Sequence, residues 1–377
     1  MKLLELHLYK LIFYLGGYLM TTKHGANIFE LCELYGLKKE ELMDFSSNIN
    51  PFGSSEKAKN YIINNIDMVS LYPDPEYKKL KESISSYCLC KKENILLGSG
   101  ATELISSFIS FIEPKKALLL SPSYSEYEKE LNKISCDISK YFAKEESDFK
   151  IDIDDLIKEI NKEKFELIII CNPNNPTGFA FNKEELKKLL ENTNTFIMVD
   201  ETYIEFTDMN YFSSTSLVDD FEKLFVIRGT SKFFSTPGIR LGYGLTSNTD
   251  ILNNISKKLD LWNINIFATL MGEIMFSDKE YIEDTSIKIK KERDYLLKEL
   301  KSLSKIKVFD SYGNFILCKL KDKDLTAREL YEKLIAKKLI IRDCASFEGL
   351  SEYYFRVCIL KPSENKLLIE SLKSILD

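Results

Sequence analysis

From about Leu80 to Leu245 the chain alternates between short apolar runs and amphipathic stretches with helical spacing. The runs are Ile95–Leu97, Ala117–Leu120, Leu167–Cys171, Phe196–Val199, Leu224–Ile227 and Leu241–Leu245. Each is nearly all apolar and bounded by Gly, Pro, Asn or charge, as expected of a strand buried on both faces. Between them, stretches such as Asp154–Lys162 and Lys183–Glu191 carry apolar residues at helical intervals. This alternation predicts an α/β domain with a mostly parallel central sheet. Past Trp262 the pattern changes. A long amphipathic stretch, Glu273–Leu303, precedes the strand-like segments Lys307–Phe309, Phe315–Lys319, Leu339–Arg342 and Tyr354–Cys358, with helices near Thr326–Lys337 and Ser363–Leu376. The pattern divides the chain into an N-terminal arm (20–70), a large domain (71–265), and a linker helix with a small α+β domain (266–377). The turn-rich segment Asp44–Gly53 belongs to the arm.

Composition narrows the function classes. A net charge of −6 leaves no basic face for nucleic acid, and the lysines are interspersed with glutamates on helices. Eight Cys with no CxxC pair, and only two His, argue against a zinc site and fit a reducing, cytoplasmic compartment. The apolar run around Leu11–Leu15 is far shorter than the roughly 20 residues of a membrane span. Residues 1–19 are expected to be a leader, either a mis-assigned start before Met20 or a disordered arm.

Three signals stand at predicted strand ends. Asn172-Pro173-Asn174-Asn175-Pro176-Thr177-Gly178 follows Leu167–Cys171, Asp200 follows Phe196–Val199, and Thr230-Ser231-Lys232 follows Leu224–Ile227. Ligands of open α/β sheets bind at the carboxyl ends of strands, so the three should share one crevice. An Asn, an Asp and a Lys there suit pyridoxal phosphate (PLP). Asp200 is the carboxylate that would keep the pyridine nitrogen protonated. Lys232 is the amine that would hold the cofactor as a Schiff base, its proton made easy to lose by desolvation. Asn175 and Tyr203 would donate to the ring oxygen. Backbone N–H groups of Gly100, Ala101 and Thr102 at a helix start, with Ser231 and Arg240, would bind the phosphate. Each signal alone is only a turn or a helix cap; their order and placement carry the reading.

Arginine is scarce, at six of 52 basic residues, so its positions are informative. Arg342 and Arg356 fall in or beside strands of the small domain, where planar recognition of an anion is expected. Arg293 and Arg328 lie on helices with acidic neighbours and read as surface residues.

The motifs NPNNPTG, DETY and TSKFFSTPGIRLGY resemble the fold-type I PLP-dependent aminotransferase superfamily (class I/II), from about residue 20 to the end. The resemblance implies the fold-type I architecture and a homodimer with shared active sites. It also implies that Tyr72 reaches the neighbouring subunit's cofactor phosphate, Tyr124 stacks on the ring, and Arg356 binds the substrate carboxylate. His24-Gly25-Ala26-Asn27-Ile28, Asp44–Gly53 and the Arg342–Arg356 segment are most similar to the L-threonine-O-3-phosphate decarboxylases of cobalamin biosynthesis. The histidinol-phosphate aminotransferases are the alternative. Either way the partner is a small amino-acid or amino-alcohol phosphate, and His24, Asn50, Arg342 and Arg356 are the expected substrate-binding residues. Gly229 departs from the family, which commonly has Ser or Thr there as a phosphate donor; Thr230 is a candidate replacement.

Overall fold

The structure, a computed structural model, describes residues 27–376. The leader and His24 lie outside the described residues.

Thirteen strands are described. They are β1 (Met43–Asp44), β2 (Ile95–Gly98), β3 (Lys116–Ser121), β4 (Asp137–Phe142), β5 (Leu167–Cys171), β6 (Phe196–Asp200), β7 (Leu224–Gly229), β8 (Gly242–Leu245), β9 (Ile306–Val308), β10 (Phe315–Leu320), β11 (Leu339–Ile340), β12 (Arg342–Asp343) and β13 (Tyr354–Cys358). Seven form the central sheet in the order β2-β8-β7-β6-β5-β3-β4. Strands β3 to β7 run parallel to one another, and β8 is antiparallel to both its neighbours. Helices cover both faces, so β5 and β7 are buried along their whole length. Burying each such Leu, Ile or Val contributes about 1.5–3 kcal/mol. The edge strand β4 escapes the apolar-run criterion because its residues Asp-Ile-Ser-Lys-Tyr-Phe are only partly covered.

A four-stranded antiparallel sheet, β12-β13-β10-β9, forms the second layer system. The N-terminal segment packs beside it in a separate two-stranded sheet: β1 pairs in parallel with β11, Met43 opposite Leu339, and Leu31 packs against Ile335 and Ile340. The stretch read as one long helix is two, Ile266–Met275 and Lys279–Lys301. They part at Asp278, whose carboxylate accepts hydrogen bonds from Ser55 Oγ (2.6 Å) and Lys57 Nζ (2.9 Å). The break thus fixes the chain just past Asp44–Gly53 against the linker helix. Among the described residues no helix is long and apolar enough to cross a membrane.

Candidate active site

Because β5, β6 and β7 are parallel neighbours, their carboxyl ends open together onto one cavity of about 260 Å³. It brings together Gly100, Ala101, Thr102, Tyr124, Asn175, Asp200, Tyr203, Ser231, Lys232, Arg240, Arg342 and Arg356. Ten of these come from around the strand ends of the seven-stranded sheet, while the last two reach in from β12 and β13 of the four-stranded sheet.

Asp200 ends β6 with its side chain buried. Its Oδ1 accepts from the Thr202 amide (2.9 Å) and hydroxyl (2.5 Å), and its Oδ2 from the Tyr127 hydroxyl (2.7 Å). Burial pushes the carboxyl above its ordinary range, opposed by the hydrogen bonds from Thr202 and Tyr127. Lys232 Nζ donates to the Ser47 carbonyl at 2.8 Å. Desolvation, and after it the Arg356 cation, lower this amine to about 8. Tyr203 is buried three residues past Asp200, and its hydroxyl oxygen accepts from Asn48 Nδ2 at 3.3 Å. Desolvation raises the phenol, so it stays a donor at neutral pH.

The loop after β5 is folded by its own polar groups. Asn172 exchanges hydrogen bonds with the backbone of Phe181, and Asn174 ties Pro122 O and Thr177 Oγ1. Gly178 has φ +77, and a Cβ there would stand 2.2 Å from Ser311 Oγ, so only glycine closes this turn. Asn175 is thereby presented to the cavity, where its Oδ1 accepts from Arg356 Nη1.

Ala101–Ile112 is a helix whose first turn faces the cavity. Gly100 has φ +85, and a Cβ on it would meet the Arg240 guanidinium at 2.3 Å. A helix start beside a guanidinium is a phosphate cradle. Gly229 lies outside the cavity lining, and Thr230 does not replace a donor there. Its hydroxyl is spent on Leu241 O (3.0 Å) and accepts from Thr236 Oγ1 (2.9 Å).

Arg342 and Arg356 are direct partners across β12 and β13. Arg342 donates to Ser346 Oγ at 2.8 Å and lies over the Phe347 ring. Arg356 donates to Ser46 O at 2.6 Å and lies over Phe315. Its buried Nε makes no hydrogen bond among the described residues. Two guanidiniums therefore share one wall of the cavity.

Several expectations are corrected. Asn50 does not line the cavity. Its amide nitrogen donates to Gly53 O, Phe233 O and Tyr281 Oη, and its oxygen accepts from the Phe52 amide, which leaves it a turn-forming role. Asn48, two residues earlier, is the Asn of that motif that faces the cavity, with φ +55 and a buried Oδ1 that has no hydrogen-bond partner among the described residues. The repeated Asn in Asn48-Ile49-Asn50 was the available signal, but a strand-like alternation cannot say which Asn points inward. Tyr72, expected at the neighbouring subunit's cofactor and not at this one, is exposed and stacked on Trp262 at 4.2 Å. Arg293 is not a free surface cation: its guanidinium clamps Phe206 O, Tyr312 O and Gly313 O at 2.7–3.1 Å. Arg228, given no role from the sequence, forms a buried ion pair with Glu201 at 2.9 Å directly beneath the site.

The residues fit PLP. A buried carboxylate, an amine poised near 8, two donors between them and a helix-start cradle stand around one cavity.

Comparison with known proteins agrees. The chain is 37% identical over 364 residues to a putative threonine-phosphate decarboxylase from Caldanaerobacter subterraneus subsp. tengcongensis, covering 96% of this chain and 95% of the relative. It superposes on the crystal structure of the histidinol-phosphate aminotransferase from Clostridium acetobutylicum with a TM-score of 0.83 at 36% identity, covering 89% of this chain and 99% of that one. A decarboxylase from Sulfurospirillum multivorans gives a TM-score of 0.86 at 26% identity, over 95% and 94%. The model of the family "Aminotransferase class I and II" matches residues 40–372, so this chain belongs to that family and is a PLP-dependent enzyme.

Proposed function

We propose that this chain decarboxylates L-threonine O-3-phosphate to (R)-1-amino-2-propanol O-2-phosphate, as a cytoplasmic homodimer serving cobamide synthesis. The observation that carries the reading is the pair Arg342 and Arg356, side by side on one cavity wall. Each guanidinium presents a planar fork that suits a carboxylate or a phosphate. A substrate with a carboxylate at one end and a phosphate at the other supplies one for each. The 37% identity to a relative named for this reaction supports the same choice. The exposed apolar side chains Ile63, Ile66, Val69, Leu71, Tyr72 and Leu261 support the homodimer, since they offer a surface for a second copy.

PLP, when bound, supplies an electron sink for the bond broken at Cα. Asp200 would keep the ring nitrogen protonated, and Asn175 and Tyr203 would hold the ring oxygen. Which bond at Cα breaks would depend on how the two anionic ends of the substrate are held. Arg356 grips the carboxylate, while Arg342, with His24, grips the phosphate. Anchoring both ends would fix the orientation of the substrate in the cavity and so select the carboxylate bond over the Cα–H bond. Lys232, poised near 8, can carry the proton returned to Cα.

A second reading is histidinol-phosphate aminotransferase, favoured by the 36% identity to the solved Clostridium acetobutylicum enzyme. The two separate on one assay. Purified protein is given L-threonine O-3-phosphate and CO₂ release is measured without a 2-oxo acid, beside amino transfer from histidinol phosphate to 2-oxoglutarate. The proposal expects CO₂ release to dominate, with L-threonine a very poor substrate in kcat as well as KM. Faster turnover of histidinol phosphate overturns it.

A further inference from the structure

Tyr127 lies on the helix Ser125–Lys133 with its ring buried among apolar residues. Composition and motif give it no role; its neighbour Tyr124 is the aromatic expected at the cofactor. Yet Tyr127, not Tyr124, touches Asp200, through the 2.7 Å bond to Oδ2.

Among the described residues the Asp200 carboxylate accepts three hydrogen bonds, two on Oδ1 from Thr202 and one on Oδ2 from Tyr127. The titratable groups facing it are Tyr127 and Tyr124 from the helix, Cys171 from β5, and Glu201 and Tyr203 that follow it. Burial raises both the phenols and the thiol, so these are neutral at working pH, and Glu201 is turned away into its pair with Arg228. Hydrogen bonds, rather than a neighbouring cation, therefore oppose the desolvation of the Asp200 anion. Thr202 sits two residues away in the same turn and moves with Asp200. Tyr127 comes from a separate element, so it alone of these donors ties the carboxylate to the opposite wall.

From this geometry we infer that Tyr127 is a positioning residue, holding Asp200 ionised and turned so that its remaining lone pairs face the ring nitrogen of PLP. The inference rests on the proposed role of Asp200. A phenol suits the task because it adds no charge that would compete for the carboxylate. Burial and the Asp200 charge keep it protonated far above neutral pH, so it donates throughout the working range. Its ring also meets Tyr124 edge-on, with centroids 5.6 Å apart and planes at 84°. The same residue thus orients the ring expected to stack on the cofactor.

Tyr127→Phe removes the hydroxyl and keeps the ring and its contact with Tyr124. The test compares wild type, Tyr127→Phe, Asp200→Asn and the double variant. Two readouts need no turnover: the dissociation constant of PLP from the apoprotein, and the pH titration of the bound cofactor's visible absorption. Loss of one hydrogen bond to a charged group should weaken PLP binding about ten-fold or more. The spectral titration should shift, and kcat should fall with the substrate KM little changed. In the Asp200→Asn background Tyr127→Phe should add nothing, because the carboxylate it serves is gone. Unchanged affinity and spectrum in Tyr127→Phe, or an equal loss in both backgrounds, overturns the inference. So does a Tyr127→Phe protein that cannot fold, which would make the hydroxyl structural. Wild-type apoprotein that takes up no PLP would instead sink the reading of the whole site.

Discussion

The Lys232 amine is lowered to about 8 from the ordinary lysine value of 10.5, first by burial and then by the Arg356 cation. At pH 7 a group with a pKa of 8 is about 9% free amine, whereas an ordinary lysine is only about 0.03% free amine. The site therefore offers roughly 300 times more nucleophile at neutral pH than a surface lysine would. Capture of PLP by apoprotein should follow that fraction. The rate, read as growth of the visible absorption of bound cofactor in stopped flow, should rise about ten-fold per pH unit up to about 8 and then level off. Dividing by the rate of a simple blocked lysine in the same buffers removes the ionisation of free PLP itself. Substituting Arg356→Gln removes the second cause but not the first. Its midpoint should move upward without reaching 10.5. A wild-type rate that keeps rising ten-fold per unit between pH 8 and 10 refutes the reasoning, because the amine would then be solvated. So would an Arg356→Gln midpoint that moves down.

Two further outcomes are expected. Burial lifts Glu205 to about 8, and its Oε2 makes no hydrogen bond among the described residues. The folded value lies above the unfolded 4.5, so stability falls as pH rises from about 4.5 to about 8; Glu205→Gln should therefore add on the order of 3 kcal/mol at pH 7 and almost nothing at pH 4, by urea unfolding of the apoprotein, and an equal gain at both pH values would refute it. Arg356→Lys keeps the charge but loses the fork shared between Ser46 O and Asn175 Oδ1, so KM should rise and kcat fall together, with an unchanged kcat/KM placing the carboxylate elsewhere.

The strands that could be read from the sequence were those buried on both faces. Leu167–Cys171 and Leu224–Ile227 are apolar without interruption because helices cover them above and below. The edge strand β4 could not be read that way, since half its surface meets solvent and its sequence is mixed. The cavity residues at strand ends were legible for a related reason. Asp200 directly follows an apolar run and Lys232 lies in the short polar turn after another, where the chain leaves the core and must spend its polarity on something. Asn48 and Tyr127 carry no such mark. Asn48 reaches the cavity through a left-handed turn, and Tyr127 sits on a helix face that otherwise packs into the core. Their roles depend on which way one side chain points across a gap between elements distant in sequence, and a pattern along one chain does not encode that. Arg293 misled for the opposite reason. Its acidic neighbours suggested solvent, while three carbonyls from two remote loops took its guanidinium.

The substrate and cofactor ends of the cavity are not independent. The Arg356 fork donates to the Ser46 carbonyl and to Asn175 Oδ1, and Asn175 is the residue proposed to hold the ring oxygen. An arriving carboxylate competes for that fork. As an anion it is the stronger acceptor, so it displaces the neutral amide oxygen. Asn175 sits on a loop pinned by Gly178, Asn172 and Asn174, so its backbone cannot follow, and only its amide can turn. Under the proposed function, binding the carboxylate would therefore change the hydrogen bonding offered to the ring oxygen. Through one arginine and one asparagine, a carboxylate held beside β13 would thus be felt at the residues proposed to hold the cofactor.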